Sequence, residues 1–93
     1  NDKEREEIWN DIEGNLKELS IDQYANYVIQ KMIEYYPIKI NLIIKELQGK
    51  YYELTKDMYG CRVIQKLVEK SSLEMKKMIF EELENPTSCL AFL

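Results

Sequence analysis

The sequence predicts an all-α chain built as a solenoid of short helical repeats, and three observations carry that expectation. Only three Gly and two Pro occur in 93 residues, too little punctuation for the many turns of an all-β chain. Apolar residues recur at three-and-four spacing in several stretches, the pattern of helices with one buried stripe. The chain also repeats itself: "LSIDQYANYVIQKMIE" (Leu19 to Glu34) lies over "LTKDMYGCRVIQKLVE" (Leu54 to Glu69) without a gap. Leu19 falls on Leu54, Asp22 on Asp57, Tyr24 on Tyr59, and VIQK at 28–31 on VIQK at 63–66, an offset of 35 throughout. The register holds upstream, with Ile8 on Ile43, Trp9 on Ile44 and Ile12 on Leu47. A repeat of this length is one supersecondary unit that buries its apolar face on its neighbours.

Each unit reads as two main helices joined by a short helical turn. The first helix is expected over Glu4 to Leu16 and again over Ile38 to Lys50, with Gly14 and Gly49 near the ends as C-terminal signals. A helical turn around Leu19 or Leu54 follows. The second helix is expected to begin near Asp22 or Asp57, whose carboxylates suit the free N–H groups and positive dipole of a helix start. In it, Val28, Ile29, Met32 and Ile33, like Val63, Ile64, Leu67 and Val68, form the buried stripe. Pro37 closes the first unit. A third unit then starts with "SLEMKKMIFEELENP" (Ser72 to Pro86), where Met78, Ile79, Phe80 and Leu83 match Leu42, Ile43, Ile44 and Leu47 at an offset of 36. The units are thus residues 1–37, 38–72 and 73–93, the last being the first half of a repeat. Exposed repeat ends, including Leu90, Phe92 and Leu93, would favour self-association or membership of a longer array.

Composition excludes several functions. With no His, the common zinc sites and Ser-His or Cys-His nucleophiles are missing, and no cofactor or metal is expected. Asp22, Asp57, Glu34 and Glu69 recur at equivalent places, which speaks for caps and surface pairs rather than catalytic acids, so the chain reads as no enzyme. Two cysteines, Cys61 and Cys89, are too few for a disulfide framework, and a reducing compartment, cytoplasmic or nuclear, is the default. No apolar run approaches the ~18 residues of a membrane span, and with no basic-then-apolar stretch in the sequence no secretion is expected. The net charge of −4 sits in residues 1–18, where seven acids face three bases, and the remainder is neutral. Strong electrostatic attraction to nucleic acid is therefore not expected.

Outside the buried stripe, Asn26, Tyr27 and Gln30 are expected to form an exposed patch, with Cys61, Arg62 and Gln65 as its equivalent one unit on. Such patches suit single-stranded bases. Amides carry donors and acceptors for an unpaired Watson–Crick edge, while Tyr and Arg are flat enough to stack between bases. Asn with Gln matches the uracil edge; the smaller, less polar Cys with Gln suits adenine. Lys31 and Lys66 are candidates for phosphate contact. Trp9, Tyr35 and Tyr36 are expected to be packing residues, and Tyr24 and Tyr59 to pack between units.

"DQYANYVIQKMIE" and "DMYGCRVIQKLVE" resemble helices of Pumilio-homology repeats, sequence-specific binders of single-stranded RNA, over residues 1–86. The resemblance implies a right-handed α-solenoid of three-helix repeats, here a partial crescent reading one base per repeat. It implies that Asn26 and Gln30 read U with Tyr27 stacking, and that Cys61 and Gln65 read A with Arg62 stacking. RNA runs antiparallel to the repeats in that family, so the reading would be 5′-A-U-3′. The implied partners are messenger 3′-untranslated regions and, for translational repression or decay, recruited repressor or decay proteins. Eight repeats are usual in that family, so two bases read by this chain alone imply weak binding. The competing expectation is an armadillo-like scaffold that binds protein without reading bases.

Overall fold

The computed structural model describes residues 2–84, whose regular elements are all helical, with no strand among them. The expectations for Pro86, Cys89, Leu90, Phe92 and Leu93 lie outside the described residues. Seven α-helices follow in order: α1 (Asp2–Ile12), α2 (Leu16–Ser20), α3 (Asn26–Tyr35), α4 (Ile40–Leu47), α5 (Tyr51–Lys56), α6 (Gly60–Lys70) and α7 (Leu73–Leu83). A 3₁₀ turn over Pro37–Lys39 leads into α4. By the 35-residue offset α1, α2 and α3 correspond to α4, α5 and α6, and α7 follows them. None of the described helices is long and apolar enough to cross a membrane.

The first helix of each unit is shorter than its apolar pattern predicts. Gly14 and Gly49 adopt φ of +88° and +86°, the left-handed conformation that favours glycine, and turn the chain before α2 and α5. Leu16 thus belongs to α2 and Lys50 precedes α5. The turns around Leu19 and Leu54 are α2 and α5, where they were expected. Asp22 and Asp57 accept backbone N–H groups as expected, but in the turn ahead of each helix: α3 starts at Asn26 and α6 at Gly60, with Ala25 and Tyr59 at the N-cap. Asp22 Oδ2 accepts the N–H groups of Tyr24 (2.8 Å) and Ala25 (2.7 Å), and Asp57 Oδ2 those of Tyr59 (2.8 Å) and Gly60 (2.7 Å). Each carboxylate organises the turn from which the next helix starts. Pro37 both ends the run of α3 and pre-sets the 3₁₀ turn.

The core is one continuous apolar seam through both units. Trp9, Ile12 and Leu16 enter from the first helix and turn, Ile29 and Ile33 from α3, and Ile43, Ile44, Leu47, Val63, Ile64 and Leu67 from the second unit. Ile79 and Leu83 of α7 complete it. Each fully buried aliphatic side chain contributes about 1.5–3 kcal/mol relative to exposure. The units join where α3 packs along α6 and α2 packs against α4 and α6. Two side chains depart from the expected stripe: Val28 is exposed and Val68 half-buried, whereas Val63 is enclosed. Trp9 and Tyr36 are packing residues as expected, but Tyr35 points outward. Tyr24 is 74% exposed rather than packed between units, because it sits on the solvent side of the Asp22 turn. Its counterpart Tyr59 is half-buried beneath Arg62.

Carboxylates from the following unit lock each Gly turn. Glu46 on α4 accepts the N–H groups of Gly14 and Leu16, both at 2.9 Å. Glu82 on α7 accepts those of Gly49 and of Tyr51, the latter at 2.8 Å. These turn groups have no helical partner of their own, so each carboxylate satisfies two free donors at a helix start. Tyr51 is fully buried below the second clamp, and its hydroxyl donates to the Ile44 carbonyl. Burial, with the charge of Glu82 beside it, pushes the Tyr51 hydroxyl far above the ordinary tyrosine range.

Candidate RNA-binding site

The two expected patches lie on adjacent helices. Tyr27, on the first turn of α3, and Arg62, on the first turn of α6, are exposed and face each other: Arg62 Nη1 approaches Tyr27 Oη at 3.5 Å. The Arg62 guanidinium also lies 6.0 Å from the Tyr59 ring centre, within the range of cation–π attraction. The two flat groups singled out by sequence, 35 residues apart, therefore share one surface where neighbouring units meet. The Asp22 and Asp57 turns set this geometry by fixing where α3 and α6 begin.

Gln65 is exposed beside Arg62, and Gln30 is half-buried beside Tyr27. Cys61 is half-buried, its thiol 3.5 Å from the Met58 carbonyl, close enough to donate weakly. Neither glutamine amide is enclosed in the core.

Asn26 departs from expectation. Its side chain is 0% exposed rather than part of an open patch. Asn26 Nδ2 donates to the Asp22 carbonyl (2.7 Å), and its Oδ1 accepts from Gln30 Nε2 (2.9 Å). The physical reason is position: the first residue of α3 folds back over the Asp22 turn, where its short amide shares the Asp22 carbonyl that also accepts the Asn26 backbone N–H at 3.2 Å. Asn26 thereby holds the Gln30 amide, and Gln30 Oε1 remains as an acceptor. The second unit has no such bond, since Cys61 cannot take that place.

Charge around the patches is mixed. Lys31 is exposed. Lys66 is half-buried and pairs across the units with the exposed Glu34 at 3.8 Å, a solvent-screened contact contributing about 0–1 kcal/mol. That pair matches the surface role expected of Glu34. The backbone N–H groups of Ala25 and Tyr24 hold the Asp22 carboxyl below the usual carboxylate range.

Motif reading alone does not single out Glu46, Glu82 or Gly60. A signal for the first two does exist: an acid recurs at these places in the repeat register. Gly60 lies so close to α5 that a Cβ there would meet the Leu54 carbonyl at 2.7 Å. Its counterpart one unit earlier is Ala25, so the alignment points to no need for glycine.

No curated protein and no solved structure was matched. The pattern of the Pumilio-family RNA binding repeat matches residues 15–47 and 50–84. The two matched segments begin 35 residues apart, the spacing of Leu19 and Leu54, and cut the same periodic array at a different phase from helices α1 and α4. With the greater part of the chain so matched and all described elements helical, the chain belongs to the Pumilio-family RNA-binding repeats.

Proposed function

We propose that this chain reads single-stranded RNA one base per unit, the first unit taking U and the second A, as part of a messenger 3′-untranslated region. The observation that carries the reading is the meeting of Tyr27 and Arg62 across the unit boundary, with Gln30 and Gln65 beside them. A base entering there would part the two flat groups and stack between them, a contact of about 1–3 kcal/mol. Gln30, held by Asn26, offers Oε1 to the N3–H of uracil. Gln65 offers both halves of its amide to the adenine edge, and the short Cys61 leaves room for the purine. Lys31 and Lys66 lie one residue beyond the glutamines, where backbone phosphates would pass. The cellular outcome proposed with this reading is post-transcriptional regulation in the cytoplasm, through recruited repressor or decay proteins.

Two bases leave affinity weak, since stacking and edge contacts at two positions barely exceed the cost of association. The test therefore uses millimolar NMR titration of the 93-residue chain with short RNAs differing at one position. RNA containing 5′-AU-3′ should shift the side-chain signals of Tyr27, Gln30, Arg62 and Gln65 more than RNA in which U is replaced by G. Changing Asn26→Ser together with Gln30→Glu should move the preference at that position from U toward G. Equal response to all bases, or shifts confined to other surfaces, would overturn base reading and favour a protein-binding scaffold. A sub-micromolar Kd of the isolated chain for 5′-AU-containing RNA would contradict the weak affinity expected of two read bases.

A further inference from the structure

The glutamine amides of the two units are held differently. In the first unit two hydrogen bonds form a chain whose direction is set at its buried end. The Asp22 carbonyl can only accept, so Asn26 turns Nδ2 toward it, at 2.7 Å. That places Asn26 Oδ1 toward Gln30. Oδ1 can also only accept, so Gln30 answers with Nε2, at 2.9 Å. Asn26 is 0% exposed, with both ends of its amide engaged inside the chain. Asp22 is itself fixed, its carboxylate holding the Tyr24 and Ala25 N–H groups. A turned-over Gln30 would set Oε1 against Oδ1, two acceptors with no proton between them. The second unit keeps the carbonyl, since Asp57 O accepts the Cys61 N–H at 2.9 Å, but it lacks the amide between carbonyl and glutamine. Gln65 is exposed and its side chain has no hydrogen bond among the described residues, so the chain favours neither of its orientations.

We infer that Asn26 does not touch RNA and is instead a positioning residue, fixing which end of the Gln30 amide meets the base so that the first unit takes uracil and refuses cytosine. The inference rests on the base reading proposed above and changes the part Asn26 plays in it. Where the sequence resemblance implies an edge contact for Asn26, both its polar ends are engaged within the chain. Uracil and cytosine have nearly the same size and stack alike, so polarity has to separate them. Uracil carries a donor at N3 beside an acceptor at O4; cytosine carries an acceptor at N3 beside an amino donor. With Nε2 drawn toward Asn26, Gln30 presents Oε1 and its second Nε2 proton in one fixed order, and Oε1 meets the uracil N3–H. Cytosine reverses the pattern and needs the amide turned over, at the loss of the Asn26 bond.

The free chain is tested first, by NMR of the side-chain NH2 groups. Exchange with water at Gln30 Nε2 should be severalfold slower than at Gln65 Nε2, and Asn26→Ala should abolish the difference. Cys61→Asn should slow exchange at Gln65 severalfold, because it supplies the missing amide beside the Asp57 carbonyl. Titration with RNAs carrying 5′-AU-3′ or 5′-AC-3′ then reads selectivity. The parent chain should favour U over C by about fivefold, the effect of one hydrogen bond kept or lost, and Asn26→Ala should bring the ratio within about twofold. A merely structural role would weaken both RNAs together and leave their ratio standing. On binding, the Asn26 Nδ2 signals should shift less than those of Gln30 Nε2. The inference is overturned if Gln30 and Gln65 exchange alike, if the ratio survives Asn26→Ala, or if the Asn26 signals move the more; each of these leaves base reading in place. Should Asn26→Ala unfold the chain, Cys61→Asn decides, and no slowing at Gln65 overturns the inference. A parent chain that binds U and C equally, while its free amides still differ, overturns base reading and the inference with it.

Discussion

Adding a single carbon at Gly60 tests how closely α6 lies on α5. A Cβ built there stands 2.7 Å from the Leu54 carbonyl oxygen, 3.0 Å from a Leu54 methyl and 3.1 Å from Leu54 Cα. Two of these three atoms are backbone in the middle of a helix and cannot swing aside, so α5 and α6 must separate. Overpacking of this kind costs about 1–3 kcal/mol. Alanine returns part of that through helix propensity, at most about 1 kcal/mol and less at the first residue of a helix. Gly60→Ala should therefore destabilise the chain by about 1–2 kcal/mol, a visible fall in the urea midpoint at unchanged m-value. The comparison with Ala25→Gly at the equivalent place is informative. That change removes a methyl the first unit already accommodates, and should cost no more than about 1 kcal/mol. If Gly60→Ala is as stable as the parent, or more so, the close approach of α5 and α6 is refuted and helix propensity alone decides the position.

Acid should weaken the fold from one side only. The folded Asp22 carboxyl titrates below its unfolded value of about 3.9, so its stabilisation is full above that pH and is lost as pH falls through the lower folded value. Glu6, held down by the Tyr36 hydroxyl and Lys39, and Glu53, held down by Lys17, act in the same sense below about pH 4.3. Stability followed by circular dichroism should be flat from pH 7 to about 5 and fall below about 4, with a shallower fall in Asp22→Asn. Ser20 is fully buried and its hydroxyl has no hydrogen-bond partner among the described residues, so Ser20→Ala should leave stability unchanged or raise it by up to about 1 kcal/mol in urea unfolding.

The 35-residue offset made the architecture legible, because a repeated apolar register constrains every unit at once. Helix ends were less legible. The apolar pattern carries Leu16 into the first helix, and only the backbone shows that Gly14 turns left-handed and hands Leu16 to α2. The patch residues Tyr27, Arg62 and Gln65 could be placed on a surface by helical spacing. Asn26 could not, since spacing says which way a side chain starts and not that a short amide will fold back onto the Asp22 carbonyl. Val28 shows another gap. Periodicity marks it as core, and it becomes core only where a neighbour covers it, as at Val63. The Glu46 clamp links a side chain to backbone groups 30 and 32 residues away, a pairing that single-residue pattern reading does not register.

The clamps have a consequence for how such arrays diversify. Glu46 and Glu82 grip main-chain N–H groups, so the turn they hold can read Gly14-Asn15-Leu16 in one place and Gly49-Lys50-Tyr51 in another without loss of the joint. A fastening that ignores the identity of what it fastens lets modules be duplicated, reordered or exchanged while the letters on their outward surface drift. Vocabulary and grammar are thereby kept in different atoms of the same repeat.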